Sequence, residues 1–543
     1  MAIPEPRPSV AQSAGIVSAA IMASRVLGLI RDQVFAALFG AGLQYDAFLT
    51  AFRIPNLLRD LFAEGALSAA FVTVFSQTLA TKGETEAFRL SNRVATLLML
   101  ALSAICAIGW IVTPSIVRML APGFFDVPGK AALTIHLTRI MIPFLLFIAL
   151  AAQAMGILNA RHRFGVPALA SAFFNIGSIA GGLFFGFVAG PLIGVGAIEG
   201  MAYGTLLGGF LQFAVQWPSL KRTGYRYRPM LGFNDPGVRQ ILRLMGPAVI
   251  GVAAVQVNVF VNSNFASSII DPATGTIGNG PVSWLNYAFR FLQFPIGVFG
   301  VAISTATLPV ISASAARKDI PEFRRTLAHS LALVFLLCVP SAVGLAVLGQ
   351  PIVGLIFEHG KFSQFDTAQT ANALAAYSIG LAGYAAVRVL APAFYALDDA
   401  RTPMLVSLGS IAVNYAVNSL LVGPLGHVGL ALSTSAVALV NFVLLLLLMR
   451  RKLGRLEGRR LARSLAKVGL ASALMAAAAW LVSAQLAPHF SGFARYLAEV
   501  AGAMIAALVV FYFACRLLRV EELDDAVNSI GARFRRRASL RRP

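Results

Sequence analysis

Apolar runs of about 20 residues or more, broken by Pro, Gly or clustered charge, recur along the whole chain. A helix of that length crosses the hydrocarbon of a bilayer, so each run predicts one transmembrane span. Fourteen are predicted, approximately at 12–38, 44–80, 92–113, 131–158, 166–190, 194–217, 240–268, 282–312, 327–349, 368–397, 403–423, 428–449, 465–486 and 495–517. The two longest have room to bend or to extend beyond the bilayer. The start of the chain reads as a tail and first span, because no short apolar segment with a small-residue cleavage site follows the basic start.

Loop charge tests this map independently, since cytoplasmic loops are enriched in Lys and Arg. With the N-terminus inside, the cytoplasmic connections collect Lys82, Arg89 and Arg93, then Arg161 and Arg163, then Lys221, Arg222, Arg226, Arg228, Arg239 and Arg243. Arg317, Lys318, Arg324, Arg325 and Arg401 follow, and the 450–467 connection and the tail from Arg516 add eight each. With Arg7 these make 33 of the 44 cations, whereas the opposite side holds only Arg118, Lys130, Lys361 and Arg495. Omitting one span would scramble the alternation. The pattern therefore predicts an all-α polytopic membrane protein with both termini cytoplasmic.

Composition agrees: 58% of residues are hydrophobic and 12% charged, against about 25% charged in soluble domains, and the mean hydropathy is +0.76. The net charge of +21 follows from topology and from attraction to anionic membrane lipids, so nucleic-acid binding is not needed to account for it. Cys106, Cys338 and Cys515 sit in apolar segments without pairing or ligand spacing, as packing residues do.

Seven arginines fall inside the proposed spans: Arg25, Arg31, Arg53, Arg59, Arg139, Arg290 and Arg388. Each costs about 3 kcal/mol or more at the centre of a membrane helix, so such residues normally face a bundle interior or wet cavity. Carboxylates in the spans are too few to neutralise them all. At ~100° per residue, Arg25 shares a helix face with Asp32, and Arg53 with Asp60, which predicts local ion pairs. Arg31, Arg59 and Arg290 lack such a partner. They are candidates for an anionic substrate, because a guanidinium holds phosphate through a planar bidentate fork; structural pairing or snorkelling is the alternative.

The segment WLNYAFRFLQFPIGVFG, 284–300, places Asn286 and Gln293 on the stripe of Arg290, and Pro295 with Gly297 predicts a bend or unwound turn. A simple proline kink beside a packed arginine stays open. Asn56 beside Pro55, with Gly65 after Glu64, repeats the pattern in the second span. Gly177, Gly181, Gly182 and Gly186 predict close helix packing. The histidines show no metal-site spacing, and there is no Walker A sequence or nucleophile elbow. No enzyme activity, cofactor or metal is expected. RFRRRASLRR, 533–542, reads as a disordered basic tail near anionic lipid.

The runs SRVLGLIRDQVFAALFGAG, 24–42, and YDAFLTAFRIPNLLRDLFAEGALSAAFV, 45–72, closely resemble the start of the bacterial MurJ (MviN) lipid II flippases. FRFLQFPIGVFGVAISTATLP, 289–309, resembles that family's eighth-helix signature. The resemblance implies the fold of the multidrug/oligosaccharidyl-lipid/polysaccharide exporters: two six-helix lobes in a V shape plus two C-terminal helices. It divides the chain into a first lobe at 1–217, a basic connection at 218–239, a second lobe at 240–450, a C-terminal helix pair at 451–519 and a basic tail at 520–543. The last two helices are similar to those proposed in this family to hold the lipid tail.

The resemblance further implies a protein of the bacterial cytoplasmic (inner) membrane. Its substrate would be lipid II, an undecaprenyl-pyrophosphate-linked peptidoglycan precursor, moved to the outer leaflet by alternating access, with cell-wall synthesis proteins as candidate partners. The family's cavity arginines map onto Arg25, Arg31, Arg59 and Arg290, with Asp32, Asp46 and Glu64 also at motif positions. Arg31 and Arg290 would take the pyrophosphate, Arg25 and Arg59 would guide the head group, Asp32 would orient an arginine, and Asp46 and Glu64 would contact sugar, peptide or a gating partner.

There are two departures from the family. Where some members are thought to bind sodium through acidic residues, this chain offers Asn262, Asn414 and Asn418, weaker ligands for a hard cation. Asp60 follows Arg59 where relatives often carry another base. Rival readings are an exporter of drugs or other polyprenyl-linked sugars, a membrane glycosyltransferase, and a structural scaffold. Cavity acids would mark the first, a catalytic acid beside a large outer loop the second, and indifference to loss of cavity charge the third.

Overall fold

The computed structural model describes residues 10–60, 66–271, 275–454 and 456–524. Glu64 and the 533–542 tail lie outside them. The described residues are helices and their connections. In the first half these are α1 (Val10–Phe39), α2 (Leu43–Arg59), α3 (Ala66–Leu120), α4 (Lys130–Met141), α5 (Phe144–Ala160), α6 (Gly165–Leu183), α7 (Gly190–Ile193), α8 (Ala197–Ala214), α9 (Trp217–Lys221) and α10 (Pro236–Ser267). The second half holds α11 (Pro281–Pro295), α12 (Val301–Ala316), α13 (Ile320–Val347), α14 (Gly349–Phe357), α15 (Gln364–Ser378), α16 (Leu381–Tyr395), α17 (Arg401–Leu453), α18 (Gly458–Leu486) and α19 (Gly492–Leu517).

The chain forms two compact units, Met1–Ser268 with Ile277–Val282, and Ile269–Thr276 with Ser283–Pro543. Helix α10 thus packs with the first unit, lying along α3.

Eight of the described helices, or nine with the bent pair α15 and α16, are long and apolar enough to cross a membrane. Two of the eight are double. Helix α17 breaks at Gly426, whose φ of 55° suits glycine, and its halves fold back on each other, since Lys452 near its end pairs with Asp399 just before its start at 2.8 Å. Helix α3 breaks at Gly83. Helix α2, at 17 residues, is shorter than the roughly 20 that a simple apolar span needs.

In the first unit α6 packs on α8 through glycine. A Cβ at Gly177 would come within 2.8 Å of the Gly208 Cα, and one at Gly204 within 2.2 Å of the Gly182 nitrogen. Small residues let the two backbones touch, as their four-residue spacing predicts. In the second unit α18 and α19 form a hairpin against α13. Its loop end is fastened where Arg495 donates to Glu499 and Ser483 donates to the same carboxylate. Glu358 accepts from Tyr496 at 2.8 Å and from Thr367 at 2.7 Å, tying α19 to α15.

Candidate functional site

Helices α1 and α2 meet at Gly40, in the left-handed region with φ of 63°, and pack through aromatic rings. Phe35 lies 4.6 Å from Phe48 and 5.3 Å from Tyr45 between centroids, and the stack continues through Phe52 and Phe144 to Phe174. The Arg31 guanidinium sits 5.6 Å over the Phe174 ring. Its Nε and Nη2 both point at Asp32 Oδ1, with Nη2 donating at 3.1 Å. Asp32 is buried, and Arg31 is 17% exposed.

Arg59 repeats the arrangement at the end of α2, donating from Nη2 to Asp60 Oδ1 at 2.9 Å. The other Asp60 oxygen accepts from Gln256 of α10 at 3.2 Å. Both pairs join sequence neighbours, which corrects the expected pairing of Arg25 with Asp32 and Arg53 with Asp60. Seven helical residues separate backbones by about 10 Å along the axis, beyond the reach of a short aspartate. An arginine instead curls back to the residue beside it. Arg53 donates to the Ser263 hydroxyl of α10, and Arg25 is exposed. Near Arg25, Asn175 of α6 donates to the Ser24 carbonyl at 3.1 Å.

Asp46 sits in a different environment. It is fully buried and accepts from Lys130 Nζ at 2.9 Å and from the Gly280 backbone N–H at 2.8 Å. Lys130, itself fully buried, also donates to Asn279 at 2.9 Å and lies 4.2 Å over the Phe124 ring. Four separate segments of the first unit meet at this pair. Counting Lys130 among outer-loop cations overlooked it. One signal was available: Lys130 opens α4 at the position where the helix dipole favours an acid, so something else must hold it there.

In the second unit Arg290 is half-buried on α11, with Asn286 half-buried and Gln293 exposed. The turn after Pro295 is a π-helix, Ile296–Gly300, in place of an unwound stretch, so α11 runs on into α12 with a local widening. Arg388 is exposed, its stem 3.8 Å from where a Gly300 Cβ would lie. Arg139 donates to the Trp110 carbonyl at 3.2 Å and stacks on that ring at 4.5 Å. Asn418 donates to Asn414 at 2.6 Å, and Ser433 donates to the Asn414 carbonyl at 3.3 Å.

Chemically, the α1–α2 strip presents guanidiniums each anchored by one adjacent carboxylate. Such a group has five donors in a rigid fork, and a neighbouring aspartate fixes its orientation while occupying one edge.

A family profile described as "Lipid II flippase MurJ" matches residues 35–498. The chain is 36% identical over 442 residues to "Lipid II flippase MurJ" of Burkholderia cenocepacia, covering 80% of this chain and 83% of that protein. It is 34% identical over 506 residues to "Probable lipid II flippase MurJ" of Rhizobium meliloti, covering 92% of each. Among solved structures it is similar to "Lipid II flippase MurJ, inward closed conformation", with a TM-score of 0.75 at 27% identity over 92% of this chain and 99% of that one. An inward-facing multidrug transporter of the MATE family shares the fold, with a TM-score of 0.66 at 16% identity over 82% of this chain and 99% of that one.

Proposed function

The chain belongs to the MurJ family of lipid II flippases, and on that premise we propose that it moves lipid II from the inner to the outer leaflet of the bacterial cytoplasmic membrane. The observation that supports this reading most directly is the pair of partly exposed arginines, Arg31 and Arg59, each steered by its own aspartate. A pyrophosphate-sugar-peptide head cannot cross hydrocarbon unaided, whereas a polyprenyl tail can stay in lipid throughout. The protein therefore needs to shield the head only, and no bond is made or broken.

In this reading Arg31 and Arg290 bind the pyrophosphate and Arg25 and Arg59 guide the head, with Asp32 orienting Arg31. Asp46 is better suited to structure than to sugar or peptide, because it is fully buried and its Oδ2 already accepts from both Lys130 and Gly280. The cycle is alternating access in a bundle of fourteen spans with both termini inside. A ligand shifts that equilibrium only through its different affinity for the two states. Substrate anion offsets the mutual repulsion of the arginines and so favours the state in which they converge. A membrane potential negative inside assists outward movement of an anion by about 2.3 kcal/mol per charge per 100 mV. Anionic lipids and cell-wall synthesis proteins meet the basic inner surface.

The test is Arg31→Ala or Arg290→Ala in cells depleted of their own flippase, with periplasmic exposure of lipid II and protein abundance measured together. Loss of exposure at normal abundance is expected. Normal exposure in both variants would remove the arginine mechanism, and selective loss of another polyprenyl-linked sugar would favour a different exporter of this fold.

A further inference from the structure

A cavity of about 370 Å³ lies in the first unit between α3, α5, α8 and α9. Met99, Leu150, Ile157, Phe210, Phe213 and Trp217 make most of its wall, and no ionisable acid, lysine, arginine or histidine lines it. The few polar groups there are turned to partners: Gln153 donates to the Ser91 carbonyl at 2.8 Å, and the Tyr227 hydroxyl lies 3.1 Å from that of Thr96. None of Arg25, Arg31 or Arg59 reaches it.

Beside its α9 wall the chain carries a run of cations on a backbone that is tied down. Lys221 lies 5.5 Å over the ring of Trp217, a wall residue, and Arg222, Arg226 and Arg228 are exposed. Asn92 donates to the Arg226 carbonyl at 3.2 Å, the Met230 N–H donates to Thr96 at 3.1 Å, and Asp235 pairs with Arg93 while capping α10. No carboxylate occurs between Glu199 and Asp235. Glu84, the carboxylate that another helix brings to this end, is taken by Arg161, which also donates to the Thr223 carbonyl at 3.5 Å. An apolar slot beside this excess of exposed cations matches an amphiphile with an apolar chain and an anionic head, and by the positive-inside pattern this end is cytoplasmic.

We infer that this cavity is a binding site for an anionic glycerophospholipid of the inner leaflet, one acyl chain filling the slot and the phosphate meeting Lys221, Arg222 and Arg226. The site is separate from the arginine strip and does not depend on which substrate the protein moves. Its charge is what selects a phospholipid head, and its volume of about 370 Å³ suits one acyl chain better than a long polyprenyl.

The test uses purified full-length protein in micelles doped with palmitoyl-oleoyl phosphatidylglycerol or phosphatidylcholine, with retained lipid counted by native mass spectrometry. Phosphatidylglycerol should be retained in preference. Lys221→Gln with Arg222→Gln and Arg226→Gln should weaken that retention by about 100-fold, since each cation near a lipid surface contributes roughly fivefold. Ala214→Trp, which fills the slot, should lower retention of both lipids. The triple variant changes exposed residues only, so it serves even if the tryptophan disturbs folding. A photoreactive phenylalanine at Phe210 in whole membranes should yield a glycerophospholipid adduct. Equal retention of the two lipids by the unaltered chain, unchanged binding in the triple variant, or a polyprenyl adduct at Phe210 would each overturn the assignment.

Discussion

Two of the kinds of ion pair in the first unit differ in almost every physical respect. Asp46 and Lys130 are 84 residues apart, have side chains exposed by 1% or less, and share their remaining hydrogen-bonding capacity with Gly280 and Asn279. Arg31–Asp32 and Arg59–Asp60 are sequence neighbours with arginines 17% and 24% exposed. A buried pair with every member satisfied holds segments in place, because opening it strands a charge. A neighbour pair joins nothing distant. It sets the direction of a guanidinium that stays accessible, which is what a transient anionic ligand needs.

The largest effect should follow from breaking the buried pair on one side only. Lys130→Ala leaves the buried Asp46 without its cation, and removal of one partner of such a pair typically costs about 3–5 kcal/mol. Fluorescence-detected gel filtration of membrane extracts should show most of the folded protein lost. The double variant Lys130→Met with Asp46→Leu should recover much of it, since apolar replacement of a whole pair is often neutral. If the double variant folds and still transports, Asp46 holds structure; if it folds without transporting, Asp46 also touches substrate or a gate.

Next comes the strip. Arg31→Lys keeps the charge and loses the fork, so transport should fall well below the parent at unchanged abundance, by about tenfold or more if a bidentate phosphate contact is lost. Equal transport by the lysine variant would mean that Arg31 supplies only a positive field. Asp32→Asn should have a smaller effect of the same kind, and it should appear in apparent substrate affinity before it appears in stability.

Much of the fold was legible in the sequence and little of this contrast, for a physical reason. Apolar runs and charged loops were enough to expect a helical membrane protein, because the bilayer imposes length and composition on each span. The glycines at 177, 181, 182 and 186 likewise foretold close helix packing, though not that α8 would be the partner. Pairing was read less well. Helical periodicity says which residues share a face and nothing about axial reach, so Arg25 with Asp32 looked better than Arg31 with Asp32. Lys130 and Asp46 were invisible as a pair, because nothing local links positions so far apart. The π-turn after Pro295 was expected only as a break of some kind, since Pro removes a hydrogen bond without dictating how the chain reroutes the rest.

The smallest expected effect extends the comparison to a third pair. Asp399 accepts from Lys452 at 2.8 Å and from the Thr402 N–H and hydroxyl, outside the spans, and Lys452 is 38% exposed, more than the cation of either pair above. The Lys452 hydrogen bond first, then those from Thr402, hold its carboxyl down at about 2, below the ordinary 3.8. A carboxyl depressed on folding contributes stability that is present above its unfolded value and is lost as pH falls through the folded one. The window for Asp399 therefore lies between pH 3.8 and about 2. Asp399→Asn should leave the thermal midpoint at pH 7 within a degree or two of the parent, as exposed pairs contribute about 1 kcal/mol or less. The same change should flatten part of the decline in midpoint measured below pH 4 in detergent. If Asp399→Asn destabilises as strongly as Lys130→Ala, burial does not rank these pairs, and the distinction between a fixed pair and an accessible one would need another basis.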